Sequence, residues 1–216
     1  MECDLVRDIC SYFVSGVIFS FLIQIYSMKQ SIGKKPAIIP TPVLIIGTYD
    51  HTGKPNAMTA AWGGICSSDP LSISFSVQRT RHTYTALVEQ RECTINLPST
   101  AHVKEADYFG VSSGKDRNKF SDTGLTPIRA PSVHAPYVAE FPVAIECRIT
   151  QIIEVGVHDL FVAEVVDVLL DDSCIDKEGK IEIQKVPFFY YNPLDRSYYK
   201  TGEFLMEGFS TRSLFT

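Results

Sequence analysis

An antiparallel, mainly β barrel with short peripheral helices is the fold that the sequence predicts, and three observations predict it. Leu71, Ile73, Phe75 and Val77 alternate with Ser72, Ser74 and Ser76, the pattern of a strand with one face in a core. Two long runs, Val143–Val155 and Leu160–Leu170, meet at a turn around Gly156 and read as a hairpin. The first of these alternates from Val143 to Thr150 and loses phase at Gln151-Ile152-Ile153, as a strand does where it bulges to close a barrel.

The chain has 216 residues and is 45% hydrophobic, enough for one substantial core and one main domain. Its net charge of −5 supplies no basic footprint for nucleic acid. Cys3, Cys10, Cys66, Cys93, Cys147 and Cys174 form neither a C-x-x-C pair nor a Cys/His metal spacing. They read as reduced structural thiols, and no metal site is expected.

Taken in order, the uncharged stretch Ile9–Tyr26 has about the minimum length for a membrane span, roughly 18 residues. Glu2, Asp4 and Asp8 make its flank unlike that of a secretory signal. If it inserts, Lys29, Lys34 and Lys35 keep the main domain in the cytosol; if Met28 is the true start, residues 1–27 are an upstream extension of a cytoplasmic protein. The segments are therefore 1–27 as an apolar extension, 28–202 as the domain, and 203–216 as a C-terminal arm.

Ala37–Val43 is extended, because Pro40 and Pro42 keep their predecessors out of helix. Val43–Tyr49 is an apolar strand, and Asp50-His-Thr-Gly53 a turn, with His51 solvated, that pairs it with a strand over Asn56–Trp62. That second strand is nearly free of bulk: Ala57, Thr59, Ala60 and Ala61 let a ligand approach the backbone, and Trp62 covers an aromatic ring or fills the core. After a turn at Ser68-Asp69-Pro70 and the Leu71–Val77 strand, Arg81 and Thr83 precede a helix over Tyr84–Gln90. A cation, a hydroxyl and free N–H groups at a helix start attract a phosphate, although Thr83 as a plain N-cap fits the same pattern. Cys93–Leu97 is a strand, and Ser99 or Thr100 caps a helix over Ala101–Tyr108. Phe109–Pro142 reads as one long irregular stretch, rich in Gly and Pro, in which Lys115-Asp-Arg-Asn-Lys-Phe120 is a solvated charge run. Asp171–Lys180 is a polar turn, Val186–Tyr191 an aromatic strand, and Tyr198–Lys200 closes the domain. Glu203–Thr216 carries Phe204, Leu205, Phe209 and Phe215 without periodicity, which suits an arm packed on a partner or a disordered end.

The ordered motifs Asn56-Ala-Met-Thr-Ala-Ala-Trp62, Asp69-Pro70, Arg81-x-Thr83, Gly114-Lys-Asp-Arg-Asn-Lys-Phe120 and Gly156-Val-His158, spread between Lys35 and Lys200, resemble the flavin reductase-like, FMN-binding split-barrel family. The resemblance implies an antiparallel split β-barrel of Greek-key type, a homodimer with flavin near the subunit interface, and FMN as cofactor. It implies that Arg81 and Thr83 hold the phosphate, that Asn56, Met58, Thr59, Ala60 and Ala61 lie along the flavin, and that Trp62 packs near it. Lys119 and His158 would balance negative charge at the phosphate or the reduced ring, with His158 the catalytic candidate and Tyr191 a further flavin contact. Family members that use a nicotinamide often carry Gly-Asp-His where this chain has Gly156-Val157-His158, so NAD(P)H and a redox-protein donor both stay open as reductants. The function implied is a flavoprotein oxidoreductase or electron carrier. The alternatives are a non-catalytic FMN storage or sensor protein and a membrane-tethered scaffold.

Overall fold

The computed structural model describes residues 29–210. The Ile9–Tyr26 stretch and the choice between Met1 and Met28 lie outside the described residues, as does the end of the arm. The chain divides into two compact units between Pro36 and Ala37. Of the first, residues 29–36 are exposed and carry no regular element.

The second unit is built on β1 (Leu44–Tyr49), β2 (Pro55–Ala60), β3 (Gly63–Ser68), β4 (Leu71–Gln78), α1 (His82–Gln90), β5 (Glu92–Leu97), α2 (Val103–Val111), α3 (Lys119–Thr123), β6 (Pro127–Arg129), β7 (Pro136–Val138), β8 (Val143–Val155), β9 (His158–Leu170), β10 (Phe189–Asn192) and β11 (Ser197–Lys200). Seven strands form one antiparallel sheet in the order β2-β1-β5-β8-β9-β4-β3. Its two edge strands, β2 and β3, are joined by Ala61 and Trp62 alone, a link that reaches at most about 11 Å. Laid flat, seven strands would hold those edges about 29 Å apart. The sheet therefore curls into a barrel whose seam lies between β2 and β3. The connection from β4 through α1 to the non-adjacent β5 gives the Greek-key crossing.

One core fills the barrel: Leu44, Ile46, Met58, Phe75, Ile95, Cys147 and Phe161 come from six strands and meet in a single buried cluster, with Leu87 of α1 packed into it. Phe75 and Phe161 stack at 5.5 Å. A second core lies outside, where Val43, Ile45 and Ala57 meet Ala106 and Phe109 of α2, Phe120 of α3 and Phe189 of β10. β1 is thus buried on both faces, which is why its sequence is apolar without alternating.

Several expectations are corrected. Gly63–Ser68 forms a strand of its own, because its small residues hide any alternation. The first helix starts at His82 rather than Tyr84, and its N-cap is Arg81, not Thr83. The helix expected over Ala101–Tyr108 is a 3-10 turn at Thr100–His102 followed by α2, which runs on to Val111. Within Phe109–Pro142 the chain forms α3 and a small β6–β7 hairpin. The bulge in β8 falls at Thr150, next to the predicted loss of phase; a second, at Val166 of β9, follows another valine, Val165, and so leaves no clear break in the pattern. Among the described residues no helix is long and apolar enough to cross a membrane.

Candidate functional site

Three recesses abut along the seam, and Arg81 lines all of them. The first gathers Met58, Arg81, His82, Thr83, Ser113, Gly114 and Lys119 around the start of α1. The second runs along the end of β2 and is lined by Met58, Thr59, Ala60, Ala61, Trp62, Gln78 and His158. The third lies on the outer side of β2, where Thr59, Ala61 and Arg81 meet Tyr191, Arg196 and Tyr198. Ten of the eleven residues singled out from the sequence therefore line these recesses, and Asn56 stands behind them.

The first recess is organised for an anion. Arg81 caps α1 with extended backbone and makes no side-chain cap bond, so the amides of His82 and Thr83 have no partner among the described residues. No acidic residue sits in that first turn. The Arg81 guanidinium donates to the Gly110 carbonyl at 3.1 Å and forms no ion pair among the described residues. Thr83 is buried; its hydroxyl accepts from the Asn56 side-chain amide at 2.9 Å, which leaves the hydroxyl proton free to donate. Asn56, itself 6% exposed, does not line the recesses and meets them through its bond to Thr83.

Lys119 departs most from the sequence reading. The charge run around it looks solvated, yet Lys119 is 4% exposed, and its Nζ donates to the carbonyls of Ala57 and Phe109, each at 2.8 Å. The cause is local: Asn118 caps the short α3 by accepting from the Ser121 amide, Phe120 anchors that helix in the outer core, and Lys119 turns inward beside it. Burial, reinforced by the Arg81 charge, pulls its ammonium down to about 8. Two of its three protons are engaged by the two carbonyls.

The second recess is lightly furnished. Ala60 and Ala61 leave room against the backbone; Trp62 is 41% exposed, so it serves as a wall of the recess and not as core. His158 begins β9 opposite Gln78, which places both at the same end of the barrel. The Thr59 hydroxyl donates its proton to the Ala106 carbonyl, so that side chain has no further hydrogen to donate. Tyr191 lies apart from Trp62 and His158, in the third recess. Its strand is held there by a backbone pair with Thr41. Sequence reasoning missed Gln78, His82, Ser112 and Ser113 as lining residues, and Arg196, whose place depends on the β10–β11 turn. Only the Gly114 motif pointed to this loop.

The residues fit a flat ring that ends in a phosphate. The anion recess and the second recess share Met58, Gln78 and Arg81 and so adjoin as the two halves of one trough. Gly114 is part of the fit: a Cβ there would lie 2.2 Å from Asn56 Oδ1 and 2.6 Å from His82 Cδ2. Only glycine lets the 112–114 loop close the anion recess.

Comparison with known proteins adds three findings. The family model of the flavin reductase like domain matches residues 37–199. The fold is similar to that of flavoredoxin from Desulfovibrio vulgaris (Miyazaki F), with 44% sequence identity and a TM-score of 0.80 over 85% of this chain and 98% of that one. Among sequence relatives, an uncharacterised protein of Archaeoglobus fulgidus is 32% identical over 130 residues, 60% of this chain and 72% of its own. The FMN reductase (NADH) RutF of Pantoea ananatis is 26% identical over 148 residues, 68% of this chain and 74% of its own.

Proposed function

The chain belongs to the flavin reductase-like family, and from that premise we propose that it is an FMN-binding oxidoreductase of flavoredoxin kind, which takes up electrons at a bound flavin and passes them on. The observation that carries the reading is the trough itself: the anion recess at the start of α1 adjoins the recess beside Trp62 and His158, with Arg81 common to both.

When bound, FMN supplies the redox chemistry, and the protein supplies binding, orientation and charge balance. Arg81, the Thr83 hydroxyl and the His82 and Thr83 amides hold the phosphate, through charge-assisted hydrogen bonds of about 1.5–3 kcal/mol each. The β2 backbone from Met58 to Ala61 orients the ring, and Trp62 keeps water from one side. Lys119, protonated below pH 8, keeps one ammonium proton for the ligand and stabilises negative charge on it. His158 at the opposite end offers a ring nitrogen to the same edge of the barrel, where a donor stabilises the reduced cofactor.

Both NAD(P)H and a reduced protein fit as donors. Val157, 74% exposed, puts an apolar group in place of an acidic one beside His158, which favours a partner with an apolar contact face. A homodimer belongs to the same proposal, supported by Ile153, Val155 and Val157 exposed together on the β8–β9 hairpin. Anaerobic titration of the FMN-loaded protein with NADH, NADPH and a reduced ferredoxin tests the activity. Reduction by any of the three supports an oxidoreductase, whereas failure of all three favours storage or sensing.

A further inference from the structure

The segment that carries Arg81 is a short turn between the end of β4 at Gln78 and the start of α1 at His82, closed by one backbone bond from the Arg81 amide to the Gln78 carbonyl at 3.0 Å. A second hold on it comes from another strand. Asp159 of β9 is 4% exposed and pairs with Val77 in the sheet. Both of its carboxylate oxygens accept from Arg79, Oδ1 at 3.1 Å from Nε and 2.7 Å from Nη2, and Oδ2 at 3.1 Å from Nε. Oδ2 also accepts from the Tyr84 hydroxyl at 2.5 Å. Arg79 lies two residues before Arg81 in the turn, and Tyr84 lies one residue after Thr83 in the first turn of α1. One buried carboxylate thus grips the phosphate-facing segment on both sides. Glu154 also meets Arg79 at 2.7 Å, but it is 74% exposed and its pairing is weakened by solvent. Asp159 is the anchor.

Two features separate this arrangement from an ordinary surface pair. Its carboxylate is buried, and one of its partners, Tyr84, packs edge-on to Phe161 of the barrel core at 5.8 Å. The adjoining residue, His158, lines the second recess, while Asp159 reaches the segment beside the first only through Arg79 and Tyr84. The Arg79 pairing, with the Tyr84 bond second, holds the Asp159 carboxyl below the usual carboxylate range, so it stays ionised at neutral pH.

We propose that Asp159 is a positioning residue for the anion recess: through Arg79 and Tyr84 its carboxylate fixes the 79–83 segment so that Arg81, Thr83 and the free amides face one point. The consequence for ligands rests on the FMN reading above. Asp159 touches no ligand itself, so its removal loosens the phosphate grip and leaves ring recognition nearly intact.

The test uses the full chain and the variants Asp159→Asn and Tyr84→Phe. In the ligand-free protein, hydrogen–deuterium exchange over residues 79–85 is expected to quicken at least fivefold in Asp159→Asn and to a smaller degree in Tyr84→Phe, while β5 and β8 stay protected. With ligand, the FMN dissociation constant is expected to rise about tenfold in Asp159→Asn and that of riboflavin less than twofold. Unchanged exchange in both variants, or equal loss for FMN and riboflavin, overturns the proposal. If Asp159→Asn does not fold, Tyr84→Phe decides by the same two readouts, because it keeps the aromatic packing and removes only the hydroxyl. Should the wild-type chain bind neither flavin, the function reading fails and the exchange result alone judges the clamp.

Discussion

The Asn56 side-chain amide donates to the Thr83 hydroxyl at 2.9 Å, across 27 residues of sequence and between two buried side chains. This bond joins the strand that lies along the second recess to the helix start that faces the anion recess. It also fixes the Thr83 oxygen and leaves its hydroxyl proton for another acceptor. Asn56→Ala should therefore weaken FMN by about three- to tenfold, the effect of losing one buried hydrogen bond of about 1 kcal/mol, without removing any ligand contact. Fluorescence titration with FMN measures it; unchanged affinity would show that Thr83 needs no aiming.

Gly114→Ala brings a methyl group into contact with that same amide. The clash with buried Asn56 leaves little room for relief, so stability should fall by about 1–3 kcal/mol and FMN binding should fall with it. Thermal unfolding together with FMN titration reads both effects. An alanine variant with native stability and affinity would show that the loop has room to spare.

Removing Arg81 and Thr83 together separates phosphate from ring recognition. Arg81→Ala with Thr83→Ala should weaken FMN by one to two orders of magnitude, from the loss of charge-assisted hydrogen bonds, and riboflavin far less. Equal loss for the two ligands rejects the assignment of these groups to the phosphate.

Lys119 makes stability and ligand affinity run in opposite directions with pH. Its ammonium loses its proton near pH 8 in the folded chain, whereas in the unfolded chain it holds it until about pH 10.4. Its contribution to stability therefore rises as pH climbs through that window, because the unfolded state binds more protons there. FMN affinity should fall over the same range, since the neutral amine no longer balances the phosphate. Calorimetric titration in buffers of different ionisation enthalpy should show proton uptake on FMN binding at pH 8–9, absent in Lys119→Met. No uptake in the wild-type protein places Lys119 outside the ligand's field.

His158→Ala is expected to lower the reduction potential of bound FMN and leave the fold intact, because a donor beside the reduced cofactor is lost. Spectroelectrochemical titration of the loaded protein measures it; an unchanged potential at full occupancy counts against His158.

Where side-chain period carries the information, the fold was legible. Alternation located β4 and the first half of β8, and the loss of phase after Ile149 pointed to the bulge at Thr150. It failed where residues are small, as in Gly63–Ser68, and where apolar residues follow one another on an exposed stretch, as at Val165 and Val166. The site was legible as a set of residues and less so as an arrangement. Lys119 looked solvated because its neighbours Lys115, Asp116 and Arg117 are exposed, and only the packing of Phe120 turns it inward. Asn56 and Thr83 could be nominated separately, but the bond between them is a tertiary fact. Asp159 gave no signal, since its partners lie 75 and 80 residues away.

The account's central claim is that the trough along the seam binds FMN. The most direct measurement is the near-ultraviolet and visible absorbance spectrum of the purified full chain after incubation with FMN and removal of free flavin. The account predicts a retained flavin spectrum, one equivalent per chain, that is lost in the Arg81→Ala, Thr83→Ala double variant. A wild-type chain that stays colourless and leaves the fluorescence of added FMN unchanged would contradict it.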